Sequence, residues 1–139
     1  STMWKLLISF FFLNLALANN VDLDIVPKSI RNNPSLASFV KEYGKQKSRY
    51  KNIYYFKKDR VSIIVFIDKA KSVYKAEYQF YKSNITYSST KEKLKDFKLS
   101  PIKGHSDGRY LIYKDKNETV RFYKNHTQSI DNYEVQWSK

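Results

Sequence analysis

The sequence contains no cysteine, so it has no disulfide framework and no thiol chemistry. Small exported domains in oxidising compartments often lean on disulfides, and a chain without any fits a bacterial periplasm or cell surface better than an animal secretory pathway. Three glycosylation sequons, at Asn84, Asn117 and Asn125, are the counter-signal, but a three-letter pattern arises readily in a chain rich in Asn, Ser and Thr. Glycine is also scarce. With Gly44, Gly104 and Gly108 its only representatives, no cluster exists that could cradle a nucleotide phosphate. Two histidines without cysteine exclude structural zinc sites, and the spacing of His105, Asp107 and His126 does not suggest a metal centre. No cofactor is expected.

Acid is the other shortage, with 13 Asp and Glu against 26 Lys and Arg and a formal net charge of +13 over 139 residues. That length suits one domain. Met3 to Lys5 is a short basic start, Leu6 to Leu17 is mostly apolar, and Ala16-Leu17-Ala18 offers small residues where a signal peptidase reads. Residues 1–18 are therefore expected to be a signal peptide, with Ser1 and Thr2 foreign to the natural start. A run interrupted by Ser9 and Asn14 falls short of the roughly 20 residues a spanning helix needs. Cleavage after Ala18 removes Lys5 and no acid, so the 13 acids still face 25 of the 26 bases.

Residues 19–33 lack periodicity and read as a tether or an edge strand, leaving 34–139 as the single domain. A helix is expected next, with Asn33 as cap, Pro34 in the first turn and an apolar stripe of Leu36, Phe39, Val40 and Tyr43. Ile53 to Phe56 and Val61 to Ile67 are strand-like runs joined by the polar turn Lys57 to Arg60, and the second is apolar on both faces, as a central strand would be. Val73 to Lys82 alternates, placing Tyr74, Ala76, Tyr78 and Phe80 on one side. Ile85 to Ser88, Arg109 to Tyr113, Thr119 to Tyr123 and Tyr133 to Trp137 complete about seven strands, with Thr90 to Lys98 as a charged, partly helical connection. The expected class is α+β, one amphipathic helix on an antiparallel meander sheet, and the alternative is a small up-and-down barrel with an outer helix.

Chemistry is thinly represented. The acids are scattered and suggest no catalytic pair. His105-Ser106-Asp107 holds the residue types of a hydrolase triad, but successive residues cannot converge on one another, so the segment reads as a turn entering a strand. A metal-independent ribonuclease using His105 and His126 as acid and base is the one enzyme alternative, because imidazole titrates near neutrality.

Positive charge is the stronger signal. Lys41 to Arg60 carries eight bases and two acids, and Lys91 to Lys103 five bases and two acids. Such clusters attract acidic proteins, nucleic acid or anionic envelope polymers. AT-rich codon usage would enrich lysine without selection, yet it does not explain the shortage of acids opposite. The twelve tyrosines follow the strand period and read as sheet-building residues.

The segment Leu99 to Tyr110, LSPIKGHSDGRY, followed by an aromatic strand and an Asn-Glu-Thr hairpin, resembles the serine loop of bacterial periplasmic inhibitors of C-type lysozyme. The resemblance implies a small exported β protein that inserts a loop into a hydrolase cleft, with Ser106 at the loop serine and Tyr110 at the tyrosine. A chain this basic repels a basic lysozyme, so the implied target is acidic. The expectation is a non-enzymatic exported inhibitor or immunity protein that blocks an acidic envelope partner, such as a peptidoglycan hydrolase or toxin. Nucleic acid and anionic glycan are the alternative ligands. Candidate contacts are Lys57, Lys58, Arg60, Lys91, Lys93, Lys95, Lys103, His105, Ser106, Asp107, Arg109 and Tyr110.

Overall fold

Eight antiparallel strands form one sheet in the order β1-β2-β3-β4-β8-β7-β6-β5 in the computed structural model, which describes residues 26–94, 100–101 and 110–138. In chain order the elements are α1 (Lys28–Asn32), α2 (Leu36–Tyr43), β1 (Ser48–Tyr50), β2 (Ile53–Lys58), β3 (Val61–Ile67) and β4 (Val73–Phe80). They continue with α3 (Tyr87–Leu94), β5 (Ser100–Pro101), β6 (Tyr110–Asp115), β7 (Glu118–Lys124) and β8 (Ile130–Trp137). The expected α+β class with an antiparallel sheet is observed. The single meander is not. Two four-stranded meanders are joined where β4 pairs with β8, so the chain leaves the centre of the sheet after β4 and restarts at the far edge. Among the described residues β1 and β5 do not pair, and the sheet is open rather than a barrel.

Hairpin turns here dispense with glycine. Lys51-Asn52, Asp59-Arg60 and Lys116-Asn117 each link a closing pair of strand residues, and the first residue of each has a positive φ, 52°, 54° and 52°. Left-handed backbone costs a lysine roughly 1–2 kcal/mol, so the strand pairing on either side must hold these turns in place.

Two bulges set which residues face inward. Between β3 and β4 the register shifts after Phe66↔Lys75 to Ile67↔Val73, which makes Tyr74 the extra residue. Between β7 and β8 it shifts after Tyr123↔Asn132 to Lys124↔Ile130, which makes Asp131 the extra one. A bulge inverts the alternation beyond it. It is why Val73 and Ile130 are buried on the same side as Ala76, Tyr78, Tyr133 and Val135. Tyr74 is consequently not on the inward side with Ala76 and Tyr78; it is exposed, with its ring 6.2 Å from that of Phe66.

Ile30 of α1 and Phe39 of α2 belong to the same buried cluster as the inward residues of the sheet. Ser35, rather than Asn33, caps α2: its hydroxyl accepts from the Ser38 amide, and the Ser38 hydroxyl accepts in return from the Ser35 amide. Pro34 stays outside the helix, where its carbonyl accepts from the Val73 amide. Of the expected stripe, Phe39 is buried, Leu36 and Tyr43 are half-buried, and Val40 is exposed. Phe39 and Tyr43 set their rings 6.0 and 6.4 Å from Phe56.

Of the stretch 19–33, read as a tether or an edge strand, the described part from residue 26 onward is tied down. Residues 28–32 form α1, and Arg31 donates from Nε and Nη2 to the two oxygens of Glu118 at 3.3 and 2.7 Å. Trp137 Nε1 donates to the same carboxylate at 3.0 Å. The expected strand at Ile85 to Ser88 reduces to a single bridge, Thr86↔Ser129, before α3 begins at Tyr87. The expected signal segment, residues 1–18, lies outside the described residues. Among those described, no helix is long and apolar enough to cross a membrane.

Candidate functional site

The strand registers line up paired positions of the sheet in cross-strand rows. One row runs Lys57, Ser62, Gln79, Asn132, Tyr123, Tyr110 across β2, β3, β4, β8, β7 and β6. Five strand spacings of about 4.8 Å separate its ends by about 24 Å. Lys57, Ser62, Gln79 and Asn132 are exposed. The basic turn after β2 and the start of β6 thus lie at one end of the sheet, although the sequence separates them by half the chain.

At this end a recess of about 450 Å³ opens beside the Asp59-Arg60 turn, lined by Lys57, Asp59, Arg60, Ser62, Gln79, Phe80, Tyr81, Lys82 and Asp131. Its frame is backbone. The Tyr81 amide donates to the Arg60 carbonyl at 2.9 Å, fastening the chain beyond β4 to the β2–β3 turn. The Asp131 bulge supplies the far wall, and that carboxylate accepts from the amides of Asn125 and Asn132 at 3.4 and 3.1 Å. The Tyr81 ring is 66% exposed, with the Lys82 ammonium 5.4 Å from its centroid.

The adjoining row runs Tyr55, Ile64, Glu77, Glu134, Arg121, Ile112. It sets two carboxylates directly opposite each other on β4 and β8. Lys75 Nζ lies 3.4 Å from Glu77 Oε1 and 3.9 Å from Glu134 Oε1, and Arg121 Nη1 lies 3.5 Å from Glu134 Oε2. Tyr123 Oη and Gln136 Nε2 each donate to Glu134 at 3.4 Å. A second recess, about 370 Å³, is lined by Glu77, Tyr123, Asn132, Tyr133 and Glu134. Two cations balance the two anions, and both cations touch the carboxylates at hand. The arrangement is a closed charge network with polar groups facing solvent. Among the described residues no group of carboxylates and histidines could hold a metal ion.

Of the expected contact residues, Lys57 and Arg60 share the first recess. Lys58 points elsewhere, donating to the Glu42 carbonyl at 3.3 Å, so it fastens β2 to the end of α2. Lys91 is exposed on α3, Lys93 lies in the same helix, and Tyr110 begins β6. Lys95, Lys103, His105, Ser106, Asp107 and Arg109 lie outside the described residues. His126 is exposed in the β7–β8 turn. The side chain of Asn125, one of the sequon asparagines, is already engaged: its Oδ1 accepts from the Thr127 amide, the Thr127 hydroxyl and the Ser129 amide. Sequence reasoning missed Lys82, Asp131 and the opposed pair Glu77 and Glu134. Lys82 and Asp131 depend on where a bulge and a turn fall, and the glutamates meet only because β4 pairs with β8.

No protein-family model matches the chain, and no curated protein matches it. Solved structures do resemble it. An extracellular protein containing an SCP domain from Bacillus anthracis aligns with a TM-score of 0.55 and 13% identity over 84% of this chain and 47% of its own. A cysteine-rich secretory protein from Staphylococcus aureus aligns at 0.51 and 11% over 76% of this chain and 44% of its own. The DUF4309 family protein YjgB from Bacillus subtilis aligns at 0.50 and 8% over 75% of this chain and 78% of its own. The chain spans under half the length of the first two. At these identities the likeness is one of fold.

Proposed function

We propose that the chain is an exported, non-enzymatic binding protein that holds or blocks an acidic protein partner outside the cytoplasm, as an inhibitor or immunity protein does. The observation that carries this reading is the basic end of the open sheet face, where Lys57, Arg60 and Lys82 line one recess and, among the described residues, none of the three forms an ion pair with a carboxylate. Unpaired cations gathered at one place steer an acidic partner toward it. Export is supported by the apolar start of the sequence and by the extracellular or secretory nature of two proteins with the same fold. The carboxylates of the outer face, being matched by Lys75 and Arg121, serve as structure rather than as an acid and base pair.

The test separates a protein partner from a polyanion. The processed protein, immobilised and exposed to the extracellular fraction of its source, should capture an acidic protein that then forms a complex of fixed stoichiometry in solution at moderate salt. Tight heparin retention without such a complex, with affinity falling smoothly with salt whatever the polymer, identifies an anionic polymer as the ligand and overturns the reading.

A further inference from the structure

We infer that the recess beside the β2–β3 turn is a seat for one singly charged oxyanion, the carboxylate of a Glu or Asp side chain that the partner presents. The inference rests on the acidic-partner reading and gives that partner a point of attachment. Three cations line the recess, Lys57, Arg60 and Lys82, against two carboxylates, Asp59 and Asp131. The excess is one positive charge. A monoanion balances it, whereas a phosphate carrying nearly two charges would meet both aspartates at close range. Neutral donors and acceptors are also at hand, because the Ser62 hydroxyl and the Gln79 side-chain amide are exposed and make no side-chain hydrogen bond among the described residues.

The walls are set before any ligand arrives. Asp59 and Lys82 both occupy the left-handed region, with φ of 54° and 52°, and the Tyr81 amide bound to the Arg60 carbonyl locks the two turns together. Asp131 is held by two amides at the bulge. A fixed frame lowers the ordering cost of binding. By contrast, the two cations of the glutamate row are already matched.

The experiment compares two variants with the same loss of charge. Lys57→Gln/Arg60→Gln/Lys82→Gln empties the seat, and Lys28→Gln/Lys69→Gln/Lys114→Gln removes three exposed lysines elsewhere. Binding of poly-L-glutamate at moderate salt should weaken by about tenfold in the first and by no more than about threefold in the second. The backbone amides of Ser62, Gln79 and Tyr81 in the unaltered protein should shift on titration with poly-L-glutamate, a readout that stands even if the triple variant fails to fold. Equal weakening in both variants, or shifts spread evenly over the lysine-bearing surface, overturns the seat and leaves only long-range attraction. Preferential binding of inorganic polyphosphate at the seat overturns the carboxylate assignment. A captured acidic protein whose affinity is unchanged by the first triple variant refutes the seat while leaving the partner reading intact.

Discussion

Glu77 and Glu134 stand directly opposite each other on β4 and β8, and the ammonium of Lys75 lies between them, 3.4 Å from one and 3.9 Å from the other. Like charges opposed across strands destabilise a sheet, so the lysine is what makes this register acceptable. The same ammonium sits 4.2 Å from the Phe66 ring centroid, which gives its stem and charge a second contact. Lys75→Met should keep the packing and lose the charge, lowering stability by about 1 kcal/mol. Adding Glu77→Gln should restore most of the loss. Urea unfolding of the two variants checks this, and an unchanged midpoint in Lys75→Met would show that Arg121 alone neutralises the pair.

The tie between Arg31 and Glu118 predicts an asymmetry. Glu118 is 7% exposed and accepts three hydrogen bonds, two from Arg31 and one from Trp137. Removing the guanidinium strands a carboxylate in a nearly dry site, while neutralising the carboxylate leaves an arginine whose side chain is partly in contact with water. Arg31→Ala should therefore cost about 2–3 kcal/mol and Glu118→Gln about 1 kcal/mol, after allowance for the part of Arg31 that solvent screens. Thermal unfolding of both variants gives the comparison. A larger loss in Glu118→Gln would mean that the arginine depends on the contact more than the carboxylate does.

Which parts of this architecture can be read from residues follows from the range of the forces involved. Hairpins such as β2–β3 and β6–β7 are visible because alternation and polar turns are local. The inward register of Val73 and Ile130 is not, since each lies beyond a bulge, and neither Tyr74 nor Asp131 is marked by its sequence neighbours as the extra residue. Strand order is less legible still. Nothing near Tyr78 in sequence indicates that Tyr133 is its neighbour, and the opposed glutamates follow from that pairing. The helix at residues 28–32, inside the stretch 19–33 that reads as a tether or an edge strand, is not legible because one turn has no period to detect; its anchor, Glu118, is 87 positions from Arg31. The basic turn was recognisable as charge, but its role as a recess wall needed Lys82 and Asp131, which tertiary structure supplies.

Burial of tyrosine predicts weakening in alkali. Tyr78 has its hydroxyl pushed well above the ordinary tyrosine value of 10.0 by burial, then by its neighbour Tyr43, and Tyr43 is itself raised by burial despite the 3.1 Å hydrogen bond between them. A raised pKa means the folded state keeps the proton while the unfolded chain releases it from about pH 10 upward. Stability is therefore unaffected below that pH and declines as the pH climbs from 10 toward the folded-state values. Tyr78→Phe should flatten the decline, at a cost near neutrality of about 1 kcal/mol for the lost hydrogen bond. Unfolding free energies measured between pH 8 and pH 11.5 test it. An equally steep fall in Tyr78→Phe would assign alkaline unfolding to other groups.

The scarcity of glycine leaves lysine holding positions it does not favour, and this can be reversed. Lys51 and Lys116 open two-residue hairpin turns at a φ of 52° in each case. Asparagine tolerates the left-handed region better than other residues with a side chain and, unlike glycine, adds little freedom to the unfolded chain. Lys51→Asn and Lys116→Asn should each stabilise the fold by about 0.5 kcal/mol, and the effects should add because the turns belong to different meanders. Part of any gain comes from relieving the repulsion of a +13 chain, which salt screens. The backbone contribution is what survives at about 1 M salt. A gain present only at low ionic strength would assign the whole effect to charge and show that the strand pairing already holds these lysines without strain.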